Sequence, residues 1–396
     1  YALLATGESD YGPFDADLAI LSGTGPLTID INRGNFAGVN LAGRVVQSAA
    51  GPFTGTLTAN GSGIDGQVQL LAEGEAQRAL VNATASNAVL GSPARLSISR
   101  AIATADITLL DQPHVVADVQ VAGLAMEGFA LERARAQIDY RGGSGTAKLL
   151  AKGNRGTQFD IAANAQMAPE QWRVALRGNA GGIGFQTVNP ARIKLGEGTY
   201  ELLTTNLALR QGNVQLAGIY GPETKLQARL KDVDLAGLRP VIPELGLGGV
   251  ASGSVEFSQQ GDGFPSADAR LTVQRFTRTS LASISQPVDL KMVGRLQPDG
   301  GTLRAVVERN GSVVGRANAD LRPLGPESGS WVTRLMAAPL GGGIRYNGPA
   351  SVLFSLAALP DQHLTGAIGV AAGFTGRVQS PSLTGVVRAD DLTYVN

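Results

Sequence analysis

Lys225-Leu-Gln-Ala-Arg-Leu-Lys231 alternates without a break: Leu226, Ala228 and Leu230 fall on one side of an extended chain, and four polar side chains fall on the other. Successive side chains of a strand point to opposite faces, so the stretch predicts a strand buried on one side only. Trp172-Arg-Val-Ala-Leu-Arg177 groups Trp172, Val174 and Leu176 in the same way. Ala267-Asp-Ala-Arg-Leu-Thr-Val-Gln274 groups Ala269, Leu271 and Val273, and Val288-Asp-Leu-Lys-Met292 repeats the pattern. Gly, Pro, Asn or Asp interrupts these runs about every 10–14 residues, the spacing of strands joined by short turns. Roughly thirty strands fit the chain at that spacing.

Two hairpins test the register. In Leu207-Ala-Leu-Arg-Gln-Gly-Asn-Val-Gln-Leu-Ala217, a two-residue Gly212-Asn213 loop sets Leu209 opposite Leu216 and Arg210 opposite Gln215. In Thr302-Leu-Arg-Ala-Val-Val-Glu-Arg-Asn-Gly-Ser-Val-Val-Gly-Arg-Ala317, a two-residue loop sets Ala305 against Arg316 and mixes the faces. A three-residue loop, Arg309-Asn310-Gly311, instead puts Leu303, Ala305, Val307, Val313, Gly315 and Ala317 on one face, with Gly311 left-handed. Helix signals are few. Asp234-Leu-Ala-Gly-Leu-Arg-Pro-Val-Ile-Pro-Glu-Leu245 predicts one or two turns capped by Asp234 and kept short by Pro240 and Pro243. Met167-Ala-Pro-Glu-Gln171 is a weaker helix signal.

Composition narrows the function. Basic and acidic residues balance at 33 each, which argues against a nucleic-acid partner or an acidic membrane recruited by bulk charge. Aromatic residues are only 5% of the chain against 53 glycines, so the apolar material is mostly Ala, Val and Leu. The absence of cysteine excludes disulfides, thiolate metal sites and a thiol nucleophile. Gly61-Ser-Gly-Ile-Asp-Gly66 has the letters of a dinucleotide fingerprint, but a strand pattern, Gln67-Val-Gln-Leu-Leu71, follows it where a helix is needed, so it reads as a hairpin turn. There is no Gly-Lys dipeptide for a P-loop, and neither a zinc-protease helix motif nor a serine-hydrolase elbow appears. His114 and His363, the only histidines, stand in Pro-containing turn contexts. Asp15-Ala-Asp17 and Asp232-Val-Asp234 lack a loop of oxygen ligands and read as strand-edge or capping groups. The Asn-x-Ser/Thr triplets at Asn60, Asn82 and Asn310 are of the kind chance places in turns. The expectation is a protein without enzymatic activity, cofactor or metal.

Polar residues hold one side of nearly every strand, which excludes a parallel sheet with helices on both faces. The expected fold is all-β: a long antiparallel meander curled into an elongated hydrophobic groove, with one or two very short helices. One continuous repetitive groove over residues 1–396 is expected, with a soft joint near 232–248. Inner residues as small as Ala, Gly and Val fill a sandwich poorly, whereas on a curled sheet they leave an apolar space. The longest apolar runs, Val352–Leu359 and Ala367–Phe374, fall short of the roughly 18–20 residues of a membrane-spanning helix. The chain opens at Tyr1 and closes in mid-pattern at Asn396, so a segment of a longer protein is expected.

From about residue 130 onward the sequence resembles the TamB family, within the AsmA-like group of Gram-negative envelope proteins. The residues that carry the resemblance include Ala338-Pro-Leu-Gly-Gly-Gly-Ile-Arg-Tyr-Asn-Gly348, Gln362-His-Leu-Thr-Gly366, Gly376-Arg-Val-Gln-Ser-Pro-Ser-Leu-Thr-Gly-Val-Val-Arg388 and Asp391-Leu-Thr-Tyr-Val-Asn396. An earlier block runs from Asn189-Pro-Ala-Arg-Ile193 through the Gly212 hairpin to Asp234-Leu-Ala-Gly-Leu238 and Gly248-Gly-Val-Ala-Ser-Gly-Ser-Val255. The resemblance implies an inner-membrane-anchored protein that crosses the periplasm and whose curled sheet conducts phospholipid toward the outer membrane. It also implies, for some members, an outer-membrane barrel partner of the TamA or BamA type and a link to outer-membrane protein assembly. The family's anchor helix and its barrel-contacting end are expected outside this segment.

The expected function is therefore conduction of phospholipid acyl chains, with headgroups left in water. The expected lining is Val174, Leu176, Leu209, Val214, Leu216, Leu226, Leu230, Val255, Phe257, Leu271, Val273, Leu290, Leu303, Val307 and Phe354. Two rival classes share the pattern. One is a periplasmic chaperone that offers a sheet edge to outer-membrane strands. The other is a structural or adhesive β-solenoid with a filled core, against which the lack of a strict repeat of stacked residues counts.

Overall fold

A computed structural model describes residues 1–9, 12–23, 25–91, 96–109, 113–238, 246–278, 285–356 and 363–395, with backbone alone at 354–356, 363–365 and 394–395. The described residues form an all-β antiparallel meander of 26 strands with two short α-helices and two 3-10 turns. The chain divides into two compact units, Tyr1–Gly181 and Gly182–Asn396. Residues 232–248, where a soft joint is expected, lie inside the second unit. No helix of the described residues is long and apolar enough to cross a membrane.

The first unit holds β1 (Ala2–Ser9), β2 (Gly12–Leu21), β3 (Thr28–Phe36), β4 (Val39–Gln47), β5 (Phe53–Gly61), β6 (Ile64–Glu73), β7 (Ala76–Leu90), β8 (Leu96–Leu109), β9 (His114–Met126), β10 (Phe129–Arg141), β11 (Ser144–Asn154), β12 (Gln158–Met167) and β13 (Gln171–Ala180). Each pairs with the next in sequence. The second unit holds β14 (Ile183–Thr187), β15 (Ala191–Gly196), β16 (Thr199–Leu209), β17 (Asn213–Tyr220), β18 (Glu223–Asp234), β19 (Leu247–Gln260), β20 (Ser266–Arg278), β21 (Val288–Gln297), β22 (Gly300–Arg309), β23 (Ser312–Leu321), β24 (Leu340–Pro349), β25 (His363–Arg377) and β26 (Ser380–Val395). Here β14 and β15 lie end to end along β16, separated by the break at Val188-Asn189-Pro190. Proline has no amide hydrogen to give to a ladder, which suits it to such an interruption.

Tight turns fix the register. Ser62-Gly63 and Asn310-Gly311 connect their strands as two-residue loops with positive φ at both positions. That geometry matches the twist of the flanking strands. Gly61–Gly66 is thus a hairpin turn, as its sequence predicts. The Asn310 hairpin departs from expectation: Arg309 pairs with Ser312, so the loop has two residues and not three. A bulge compensates, with Glu308 opposite Val313 and Val307 opposite Gly315. The extra residue is absorbed in the strand. Leu303, Ala305, Val307, Gly315 and Ala317 share a face, and Val313 leaves it for the side of Glu308.

The other hairpin is slipped by four residues from its expected register. Leu207 pairs with Val214 and Thr205 with Leu216, and Leu209–Gly212 form the loop. The Leu209 amide bonds the Gly212 carbonyl at 3.1 Å, and the Arg210 amide bonds Gly184 on β14 at 3.0 Å, which removes both from pairing with β17. The slip is even, so no side chain changes face.

Leu235–Leu238 is a 3-10 turn, and the Asp234 carboxylate accepts from the Ala236 amide at 2.9 Å, as a cap should. Residues 239–245 of the expected helix lie outside the described residues. Ala168 and Gln171 bond each other across a hairpin turn, so Met167–Gln171 is not a helix. His114 and His363 open strands β9 and β25, and Asn60 and Asn82 lie within strands. The α-helices, α1 (Trp331–Met336) and α2 (Ala350–Leu356), stand where the sequence reading placed none.

Candidate functional site

Residues paired across an antiparallel ladder share a face, so the register traces each face strand by strand. In the first unit one row reads Leu3, Leu18, Ile31, Gly43, Leu57, Val68, Val81, Ala105, Ala117, Ile138, Ala147, Ala165, Val174. It crosses thirteen strands without one polar side chain. In the second unit a row reads Leu207, Val214, Leu230, Gly253, Leu271, Met292, Ala305, Ala317, Ile344, Ala372, Gly385. The flanking row, from Leu216 through Ala228, Val255, Ala269, Gly294 and Leu303, is equally free of charge.

The reverse face carries the ions. Arg78 bonds Asp106 at 2.7 Å, Arg135 bonds Asp118, Lys291 bonds Glu308 at 2.7 Å and Arg295 bonds Asp268 at 3.0 Å. Arg44 bonds Asp30 in the same manner. Hydrogen bonds from Arg44, Arg78 and Arg135 hold the carboxyls of Asp30, Asp106 and Asp118 below their usual range, and a bond from Lys152 does the same for Glu132. Asp15 pairs with Arg33, and Ser252 bonds both the amide and the carboxylate of Asp232, so the two Asp-x-Asp stretches serve strand pairing and capping. Among the described residues, no group of three His, Cys, Asp or Glu is placed to hold a metal.

Short helical pieces cover the rim of the apolar face in the second unit. Leu235 of the 3-10 turn packs on Ala251 and Val273, with Leu247, Phe276 and Leu290 beside them. Ala350 and Val352 of α2 pack on Val288, Tyr346 and Ile368. An Arg309–Gln286–Ser351 chain, with links of 2.9 and 3.1 Å, ties α2 to the strands. Toward the opposite strand ends Arg334 of α1 lies over the Phe264 ring at 4.9 Å. Among the described residues, no helical piece joins a core cluster on the rows farther from this rim. Val273 at this rim is 3% exposed, whereas Leu303 and Leu226, on rows farther from it, are 45% and 43% exposed.

Fourteen of the fifteen residues expected to line the face lie on it. Val174 and Leu176 belong to the first unit and the rest to the second. Val174, Leu176, Leu209, Val214, Leu216, Leu230, Val255, Phe257 and Leu271 are half-buried on open rows. Val273, Leu290 and Val307 are packed into the rim. Phe354 has a helical backbone, in α2, and its side chain lies outside the described residues. Sequence reading named no lining residue before Val174, although Ile64-Asp-Gly-Gln-Val-Gln-Leu70 carries the same alternation and supplies Val68 to the face. No protein-family model, curated protein or solved structure matches the chain.

Proposed function

We propose that this chain is a segment of a periplasm-spanning, TamB-type lipid bridge, along whose apolar face phospholipid acyl chains pass while their headgroups stay in water. The observation that carries the proposal is the row of thirteen uncharged residues in the first unit and its counterpart in the second. A surface that acyl chains slide along needs continuity and no reactive group. Each methylene that leaves water gains about 0.8 kcal/mol, so a sixteen-carbon chain gains roughly 10 kcal/mol. One unpaired charge in its path removes much of that. The residues offered are small and nonspecific, and no catalytic step is assigned to them. Mass spectrometry of lipid extracted from the purified chain tests the proposal. Stoichiometric phospholipid is expected, and a folded, lipid-free protein from a membrane-bearing host contradicts it.

A further inference from the structure

We propose a second binding site, for a phosphate ester with an apolar substituent, on the charged face of the first unit. A hollow of about 640 Å³ opens there over β8 to β12. Its floor is Ala122, which pairs with Arg100 on one side and Arg133 on the other. Two guanidinium groups thus flank one small residue from strands roughly 10 Å apart. The neighbouring cations are already matched, Arg135 by Asp118 and Lys152 by Glu132 at 2.6 Å. The guanidinium groups of Arg100 and Arg133 have no hydrogen-bond or ion-pair partner among the described residues, and Arg133 also stands in the field of Glu132. Lys152, directly opposite Arg133, is neutralised by Glu132, and Asp160 is the one carboxylate among the lining residues.

The adjacent row gives the second half of the chemistry. Ile102 and Leu150 stand at its ends over β8 to β11, 39% and 57% exposed. An oxyanion over Ala122 takes charged hydrogen bonds from both arginines, whose planar forks suit phosphate oxygens. Its substituent then lies toward Ile102 or Leu150. This site is on the opposite face from the uncharged rows and is independent of lipid conduction.

Calorimetric titration of the full chain with phenyl phosphate, and separately with inorganic phosphate, tests the site. Phenyl phosphate is expected to bind at least fivefold more tightly than inorganic phosphate. Combined Arg100→Gln and Arg133→Gln should weaken phenyl phosphate at least tenfold, and Arg173→Gln, on the same face outside the hollow, should not. Leu150→Asn, an exposed position that leaves folding intact, should erase the preference for the phenyl ester. No binding, equal affinity for the two phosphates, or equal weakening by Arg173→Gln overturns the proposal. Sedimentation with phosphatidylcholine vesicles carrying phosphatidic acid identifies the source of the ester. Sedimentation lost in the double variant assigns a lipid headgroup, its absence in the wild type assigns a soluble ester, and sedimentation that survives in the double variant overturns the site.

Discussion

At the scale of single residues, side-chain direction decides function. Leu271 and Arg270 are neighbours in sequence, yet Leu271 pairs with Gly253 and Met292 on the uncharged row and Arg270 pairs with Ser254 on the other face. A Val214→Asp or Leu271→Glu substitution is expected to cut co-isolated lipid several-fold, whereas Arg229→Glu and Arg270→Glu leave it near the wild-type level, as read by lipid extraction. Gly253 is constrained by the backbone: at φ +150° an added Cβ would lie 2.0 Å from the Arg270 carbonyl oxygen. Gly253→Ala should therefore destabilise the second unit by more than about 1 kcal/mol in denaturant melts. The two-residue period made the faces legible, since Leu226, Ala228 and Leu230 announce theirs without any partner. The helical backbone at Val352-Leu-Phe354 was illegible because three apolar neighbours in a row fit strand and helix equally.

At the scale of elements, the turns and short helices set what the strands alone leave open. The Asn310 hairpin shows the limit of register reading. A loop of three and a loop of two with a bulge give nearly the same faces, and the sequence contains no residue that separates them until Val313 is placed. Helix α2 follows Pro349, a signal for a helix start that its apolar length concealed. Val352, on the buried side of the helix, is fully buried. Val352→Ala removes two methyl groups and is expected to cost about 2 kcal/mol, measured as a lower unfolding midpoint.

The cross-strand ion pairs predict an acid limit. Hydrogen bonds from their basic partners depress the folded-state pKa of Asp30, Asp106, Asp118 and Glu132, so the stability they contribute is present above the unfolded-state pKa and lost as pH falls through the folded-state value. The melting temperature should be flat near neutrality and fall below about pH 4. Asp106→Asn should make that fall shallower, and an equal fall in the variant would remove these pairs as its cause.

At the scale of the whole molecule, the division of chemistry between two faces is the central feature. Apart from the split strand β14–β15, the meander in each unit keeps every strand beside its sequence neighbour, so a local alternation becomes a long-range surface. The fold class was legible for that reason: the same two-letter pattern recurs from Leu3 to Leu383. The split strand β14–β15, the rim covers and the hollow around Ala122 were not, because each depends on which strands become neighbours. The claim that acyl chains travel on the uncharged face is tested most directly by photo-crosslinkers placed in living cells at Val255, Leu271 and Leu303, and at their neighbours Ser254, Arg270 and Arg304. Lipid adducts at the first three positions and background at the second three are the predicted result, and equal capture from both faces contradicts it.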